Sequence, residues 1–442
     1  MNLWPFLIFV AVAGACVGSF LNVVICRLPQ RQSVVHPPSR CPQCEHRLAW
    51  YDNVPVLSWL WLRGRCRYCR TTISIDYPLI EALSAFLFVS LFCVYYLSSL
   101  RPEFSTPGLA GSWPVLGMHL ILVGALIGAT RIDALEYIIP LSISWTVIAI
   151  AFGLIPLAAW QLPATQLGFF MPPDRWVGPA LGAVVGLIVA NLLLRLGWIP
   201  LSFREPTTAE PELTNSSPDE TATQATRRST LRAESCLRIG AMLAAATAVW
   251  FGSLGLLVAV IVAWMGVLVY TFDAAEHAPD PEQWFAHPHP RREVLKELLF
   301  MLPVALGITL GAVITWGGIG EGGPTLAAPL RAVAGVAMGL IAGGAIVWLV
   351  RIFGTLAFGR EAMGLGDVHL MAAIGVVLGP IDVLVAFFIA PFIGLAYVLS
   401  TVGLGSLLKK RFCPIPYGPH LALACVIVMI FRLPLLRFLG II

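Results

Sequence analysis

LWPFLIFVAVAGACVGSFLNVVIC, residues 3–26, runs 24 positions without a charged side chain. About 20 apolar residues suffice for a helix to cross a bilayer. The stretch therefore predicts a first transmembrane helix, followed directly by Arg27 and Arg31. Those arginines set its C-terminal end in the cytoplasm by the positive-inside rule. A signal peptide would be shorter and would carry its charge in front.

Working outward, further apolar runs lie at about 79–99, 114–132, 138–160, 177–199, 238–272, 294–317, 329–353, 368–379, 381–404 and 417–438. The composition agrees: of 442 residues, 58% are hydrophobic and 12% charged, with a mean hydropathy of +0.83. A soluble domain carries about twice that share of charge, so a soluble enzyme is excluded. A β-barrel would show alternating segments of about ten residues instead. The formal charge of +4 matters less than its distribution. The segments with Arg63, Arg65, Arg67 and Arg70, with Arg227, Arg228 and Arg232, with Arg291 and Arg292, and with Lys409, Lys410 and Arg411 all read as cytoplasmic. One long helix over 238–272 breaks that parity, whereas two short ones turning near Gly252-Ser253 keep it. The expectation is twelve helices with both termini outside. Residues 203–235 are rich in Thr, Ser, Pro and Glu and read as a disordered linker.

Cys41-Pro-Gln-Cys44 and Cys66-Arg-Tyr-Cys69 are two CxxC pairs with 21 residues between them. Zinc takes four thiolates tetrahedrally, and each CxxC turn supplies two sulfurs to one face of the ion. The spacing is slightly beyond the usual form. A reducing cytoplasm disfavours disulfides there, with redox pairs as the rival reading. Four thiolates leave no open coordination position, so the metal is expected to be structural. Cys16, Cys26, Cys93 and Cys425 read as small core residues, and Cys236 and Cys413 lie near predicted membrane edges.

Ionisable groups within apolar segments are costly and point to function. Asp133 ends the third predicted helix, in GATRIDALEYIIP, and Asp367 sits in REAMGLGDVHL between the ninth and tenth. Parity sets both at the cytoplasmic face. Two neighbouring carboxylates share a proton and can act as base and acid at a peptide carbonyl. Gly364 and Gly366 leave room for a substrate backbone beside Asp367. Taken singly, Asp133 also reads as an interfacial charge beside Arg131, and Asp367 as a helix cap. Glu136 and Glu361 read as interfacial charges, and His369 as an ordinary helix-end histidine or a proton carrier. His277, His287 and His289 with Asp273 and Asp280 read as a solvated loop rather than a metal site. HExxH, GxSxG and GxxxxGK[ST] motifs are absent from the sequence.

With these residues the chain resembles the type 4 prepilin peptidases, GxGD-type intramembrane aspartic peptidases. GSFLNVVICRLP (18–29), SRCPQC (39–44), DNVPVLSWLWLRGRCRYC (52–69), YPLIEALSA (77–85), IDALEYIIP (132–140) with Pro140, EAMGLGDVHL (361–370) with Glu361, and PIPYGP (414–419) carry the resemblance. It implies a catalytic pair, Asp133 and Asp367, and cleavage of a basic leader from prepilins or secretion pseudopilins at the cytoplasmic face of a bacterial inner membrane. It also implies N-methylation of the new terminus from S-adenosylmethionine. No nucleic-acid partner is expected. The family usually has eight helices and a shorter interval between its aspartates than the 234 residues here. Asp76, His369 and Leu141 differ from the residues common at those positions.

The expected fold is an all-α polytopic membrane protein with a small zinc loop. Its parts are helix 1–26, zinc domain 27–78, core helices 79–160, an insertion over 161–328, and core helices 329–442. The competing reading is a proton- or cation-coupled transporter with Asp133 and Asp367 as carriers. A transporter has no evident need for the four-cysteine loop, and no convincing internal repeat is present.

Overall fold

The computed structural model describes residues 3–105, 108–161, 170–203, 290–318, 326–359, 361–408 and 417–441. Ten helices of 14 residues or more carry the described chain: α1 (Trp4–Arg27), α2 (Asp76–Tyr96), α3 (Gly108–Glu136), α4 (Leu141–Gln161), α5 (Val177–Arg195), α6 (Pro290–Gly318), α7 (Ala328–Phe358), α8 (Leu365–Leu378), α9 (Pro380–Leu408) and α10 (Gly418–Phe438). Among the described residues nine of these are long and apolar enough to cross a membrane. Ten of the twelve predicted helices are thus in place, and the two assigned to 238–272 lie outside the described residues. So do residues 204–235 of the linker, the His277–His289 loop, Cys236 and Cys413. α8 has 14 residues, about 21 Å at 1.5 Å per residue. It falls short of a full span by itself, because Gly379 at φ 85° turns the chain into α9.

The chain divides into two compact units, residues 1–154 with 369–442 and residues 155–368. In the first, α1 lies flush against α2. A Cβ on Gly18 would meet the Glu81 Cα at 2.6 Å, so only a glycine permits that approach. Close packing through small residues is how helices associate where lipid is as apolar as leucine. Leu21, Ile25, Ile80 and Ile132 form one buried cluster joining α1, α2 and α3. α9 and α10 are joined by a buried ion pair, Arg432 Nε to Asp382 Oδ2 at 2.7 Å. In the second unit, Gly178, Gly182 and Gly186 of α5 face Gly307 and Gly311 of α6 backbone to backbone.

Between α1 and α2 the chain makes a 3-10 turn, Trp50–Asn53, and a short helix, Leu57–Trp61. The described residues contain only two isolated β-bridges, Arg40 with Arg47 and Arg65 with Thr72. Each bridge closes one CxxC turn.

Candidate functional site

The two CxxC turns are built alike. The amide of Cys41 donates to His46 O and that of Glu45 to Cys41 O; the amide of Cys66 donates to Thr71 O and that of Arg70 to Cys66 O. The fifth residue of each turn, Glu45 and Arg70, takes a left-handed backbone, at φ 55° and 62°. The rings of His46 and Tyr68 pack at 3.6 Å between the turns. All four Sγ atoms lie within 4.8 Å of one another, and those of Cys41 and Cys69 are 3.7 Å apart. Four sulfurs held at about 2.3 Å by a tetrahedral ion stand about 3.8 Å apart, so the cluster can hold such a metal ion. The Cys44 amide draws the Cys41 thiol down to about 7. Cys69 receives the Thr71 amide, which acts downward, but burial and the neighbouring thiols push it up to about 12. A set of thiols this close titrates in succession, one early and one late.

This loop is tied to the helices. The Val56 amide donates to Glu81 Oε2 on α2 at 2.6 Å, and Asn22 Nδ2 of α1 donates to Tyr77 O at 3.1 Å. Arg67 Nε meets Asp52 Oδ1 at 2.7 Å, fastening the Trp50–Asn53 turn to the second CxxC. Asp76 forms an exposed pair with Arg131 at 3.1 Å, an arrangement that contributes little to stability.

Asp133 sits in the last turn of α3 and is buried. Its carbonyl accepts the Tyr137 amide at 3.0 Å, where φ of 54° ends the helix. Pro140 stands just before α4, its carbonyl accepting the Ile143 amide. The Asp133 carboxylate accepts the Gly418 amide at 3.0 Å. Gly418 opens α10, where amides of the first turn have no partner within the helix and the helix dipole favours an anion. A Cβ on Gly418 would stand 2.5 Å from Asp133 Oδ2. The sequence reading matched the PIPYGP motif but did not assign Gly418 to the site. The signal was a glycine at a helix start in a motif whose chemistry had no other use. Glu136, three residues on, is exposed.

Asp367 belongs to the second unit and is the third residue of α8. An acid there complements the helix dipole. Gly364 is buried immediately before α8, and Gly366 follows within its first turn. The preceding loop is held from α7. Arg351, 3% exposed, donates to Glu361 Oε1 and to the Met363 carbonyl. Its Nε donates to Glu297 Oε1 of α6 at 2.7 Å, and its guanidinium lies over the Phe203 ring. Glu297 also accepts Trp348 Nε1 at 2.9 Å. Glu361, read from the sequence as an interfacial charge and as part of the GxGD motif, is ion-paired with this arginine. Sequence reasoning passed over Arg351 and Glu297. The available signal was a charge inside an apolar run. His369, in the first unit, has its ring 6.0 Å from that of Trp145.

Residues 12–95 match the family model described as the bacterial peptidase A24 N-terminal domain. The prepilin leader peptidase/N-methyltransferase of Myxococcus xanthus is 40% identical over 193 residues, 44% of this chain and 49% of that protein. Its namesake from Pectobacterium carotovorum is 35% identical over 159 residues, 30% of this chain and 52% of that one. That of Vibrio cholerae is 33% identical over 157 residues, 34% and 56%. The chain thus spans about half the length of these curated relatives. No solved structure matches. The resemblance read from the motifs is borne out, as is the all-helical, multi-pass fold class.

Proposed function

We propose that this chain is an intramembrane aspartic endopeptidase that removes the basic leader of type IV prepilins or secretion pseudopilins. The observation that carries the proposal is the hydrogen bond from Gly418 to Asp133. It joins the first aspartate motif to the late glycine motif, 285 positions apart, and buries a carboxylate at the end of a membrane helix. Asp367, in the GxGD motif, is its proposed partner. Gly364 and Gly366 would leave room for the substrate backbone, with Glu361 and Pro140 shaping the two motifs.

Two carboxylates brought together cannot both ionise cheaply, so they share one proton. The ionised one takes a proton from water as the water oxygen attacks the scissile carbonyl carbon. The protonated one gives its proton to the carbonyl oxygen. Collapse of the tetrahedral intermediate breaks the C–N bond: one of its hydroxyls returns a proton to the second carboxylate as the carbonyl re-forms, and the amine leaves with the proton that the base had taken. The Gly418 amide holds one oxygen of Asp133 in place throughout.

Zinc is the proposed occupant of Cys41, Cys44, Cys66 and Cys69. Four thiolates close its coordination, so its part is to order the loop. Methyl transfer to the freed amine, with S-adenosylmethionine as donor, is the second activity proposed, on the relatives' name alone. The proposed setting is a bacterial inner membrane with the site facing the cytoplasm. Residues 161–328 are the proposed insertion into an eight-helix core. The transporter reading gains no support from the comparisons.

The test is co-expression with a candidate prepilin and mass spectrometry of the product's N-terminus. Loss of the leader supports the peptidase, and an added methyl group on the new terminus supports the second activity. An intact leader with well-expressed protein refutes both.

A further inference from the structure

The short helix Leu57–Trp61 turns one side inward and one side outward. Trp59 Nε1 donates to Ile73 O, and its ring packs on Gly64. Leu57, Leu60 and Trp61 are 65%, 58% and 83% exposed. Positions i, i+3 and i+4 share one helix face, so these three form a continuous apolar strip. Trp50, in the adjoining 3-10 turn, is 82% exposed. A strip of this kind in water is costly, and no described residue covers it.

The level of the strip follows from one hydrogen bond. Val56, the residue before the short helix, donates its amide to Glu81, the sixth residue of α2. At 1.5 Å per residue, Glu81 lies about 7 Å along α2 from its first residue. The short helix is therefore held beside the second turn of a helix long and apolar enough to span a membrane, near the end at which that span would meet the headgroups. Tryptophan concentrates at that depth. The connecting segment 27–78 carries eight arginines against three acids, and Arg40, Arg47, Arg63, Arg65 and Arg70 are exposed. Such charge complements an anionic leaflet and opposes a basic peptide.

We propose that the Leu57–Leu60–Trp61 face, with Trp50, is a docking surface for the anionic headgroup region of the bilayer that holds α1 and α2. The four-cysteine loop then lies on the membrane through an interfacial helix as well as through its two flanking spans. The inference stands apart from the peptidase reading.

The test uses the full chain in vesicles of phosphatidylethanolamine and phosphatidylglycerol, with prepilin present. Leu57→p-benzoylphenylalanine, Trp61→p-benzoylphenylalanine and, as the inward control, Trp59→p-benzoylphenylalanine are irradiated and their adducts weighed. Lipid adducts several-fold more abundant at 57 and 61 than at 59, and falling when phosphatidylglycerol is replaced by phosphatidylcholine, are the expected result. Equal yields, no lipid adducts, or adducts to prepilin in their place would overturn the proposal. A second readout covers a misfolded control. Quenching of tryptophan emission by headgroup-proximal brominated lipid falls in Trp61→Phe, and unchanged quenching in that variant would likewise overturn it.

Discussion

Removing the guanidinium of Arg351 exposes the logic of the second unit most sharply. Arg351→Met keeps an unbranched apolar stem and deletes the guanidinium with its charge. Glu297, 3% exposed, then loses its partner at 2.7 Å. Glu361 loses its ion pair, and the Met363 carbonyl loses its donor. Breaking a buried pair by removing one member costs about 3–5 kcal/mol, because the other charge stays buried. For a unit of this size that is a fall in melting temperature on the order of 10 °C. The damage reaches the site because Glu361 and Met363 lie in the loop leading to Gly364 and Asp367. A misplacement of about 1 Å there lowers turnover by about 100-fold. Adding Glu297→Gln removes the stranded charge, so the double variant recovers part of the lost stability. The assay is thermal unfolding in detergent alongside prepilin cleavage. A melting point within a degree or two of the parent, or a double variant less stable than the single, would refute this reasoning.

Purified protein is expected to hold about one zinc ion per chain, and Cys44→Ser to hold less, by metal analysis without chelator. Zinc retention is also expected to fall as pH falls. Zinc binding displaces the thiol protons, so release has its midpoint below the value of about 7 that Cys41 takes without metal. In the metal-free loop, the same lowered value makes the Cys41 contribution complete above about pH 9 and lost as pH falls through about 7. Retention that is flat down to strongly acidic pH would contradict the four-thiolate assignment. Gly418→Ala sets a Cβ 2.5 Å from Asp133 Oδ2. Cleavage is expected to drop by about tenfold or more with zinc content unchanged, and parental cleavage would remove Gly418 from the site.

What the sequence made legible were features carried by local pattern. The charge-free run of α1, the paired CxxC units and the position of Asp133 at a helix end each need only neighbouring residues to be read. α3 begins at Gly108, ahead of the apolar run at about 114, and Ser112 in that added turn bonds to Tyr96 of α2 at 2.8 Å. The long-range contacts around each aspartate motif are of another kind. Gly418 reaches Asp133 across most of the chain, and Arg351 joins Glu297 across 54 positions. A glycine's value lies in what approaches it, and a buried arginine's in what pairs with it. Neither neighbour is written beside the residue in the chain.

The central claim is that Asp133 and Asp367 act as one catalytic unit on a prepilin. It is tested most directly by measuring prepilin processing by Asp133→Asn, Asp367→Asn and the double variant, each matched for expression and zinc content. The account predicts that each single change abolishes cleavage and that the double is no worse, because residues acting as a unit are not additive. Near-normal processing by Asp367→Asn would contradict it.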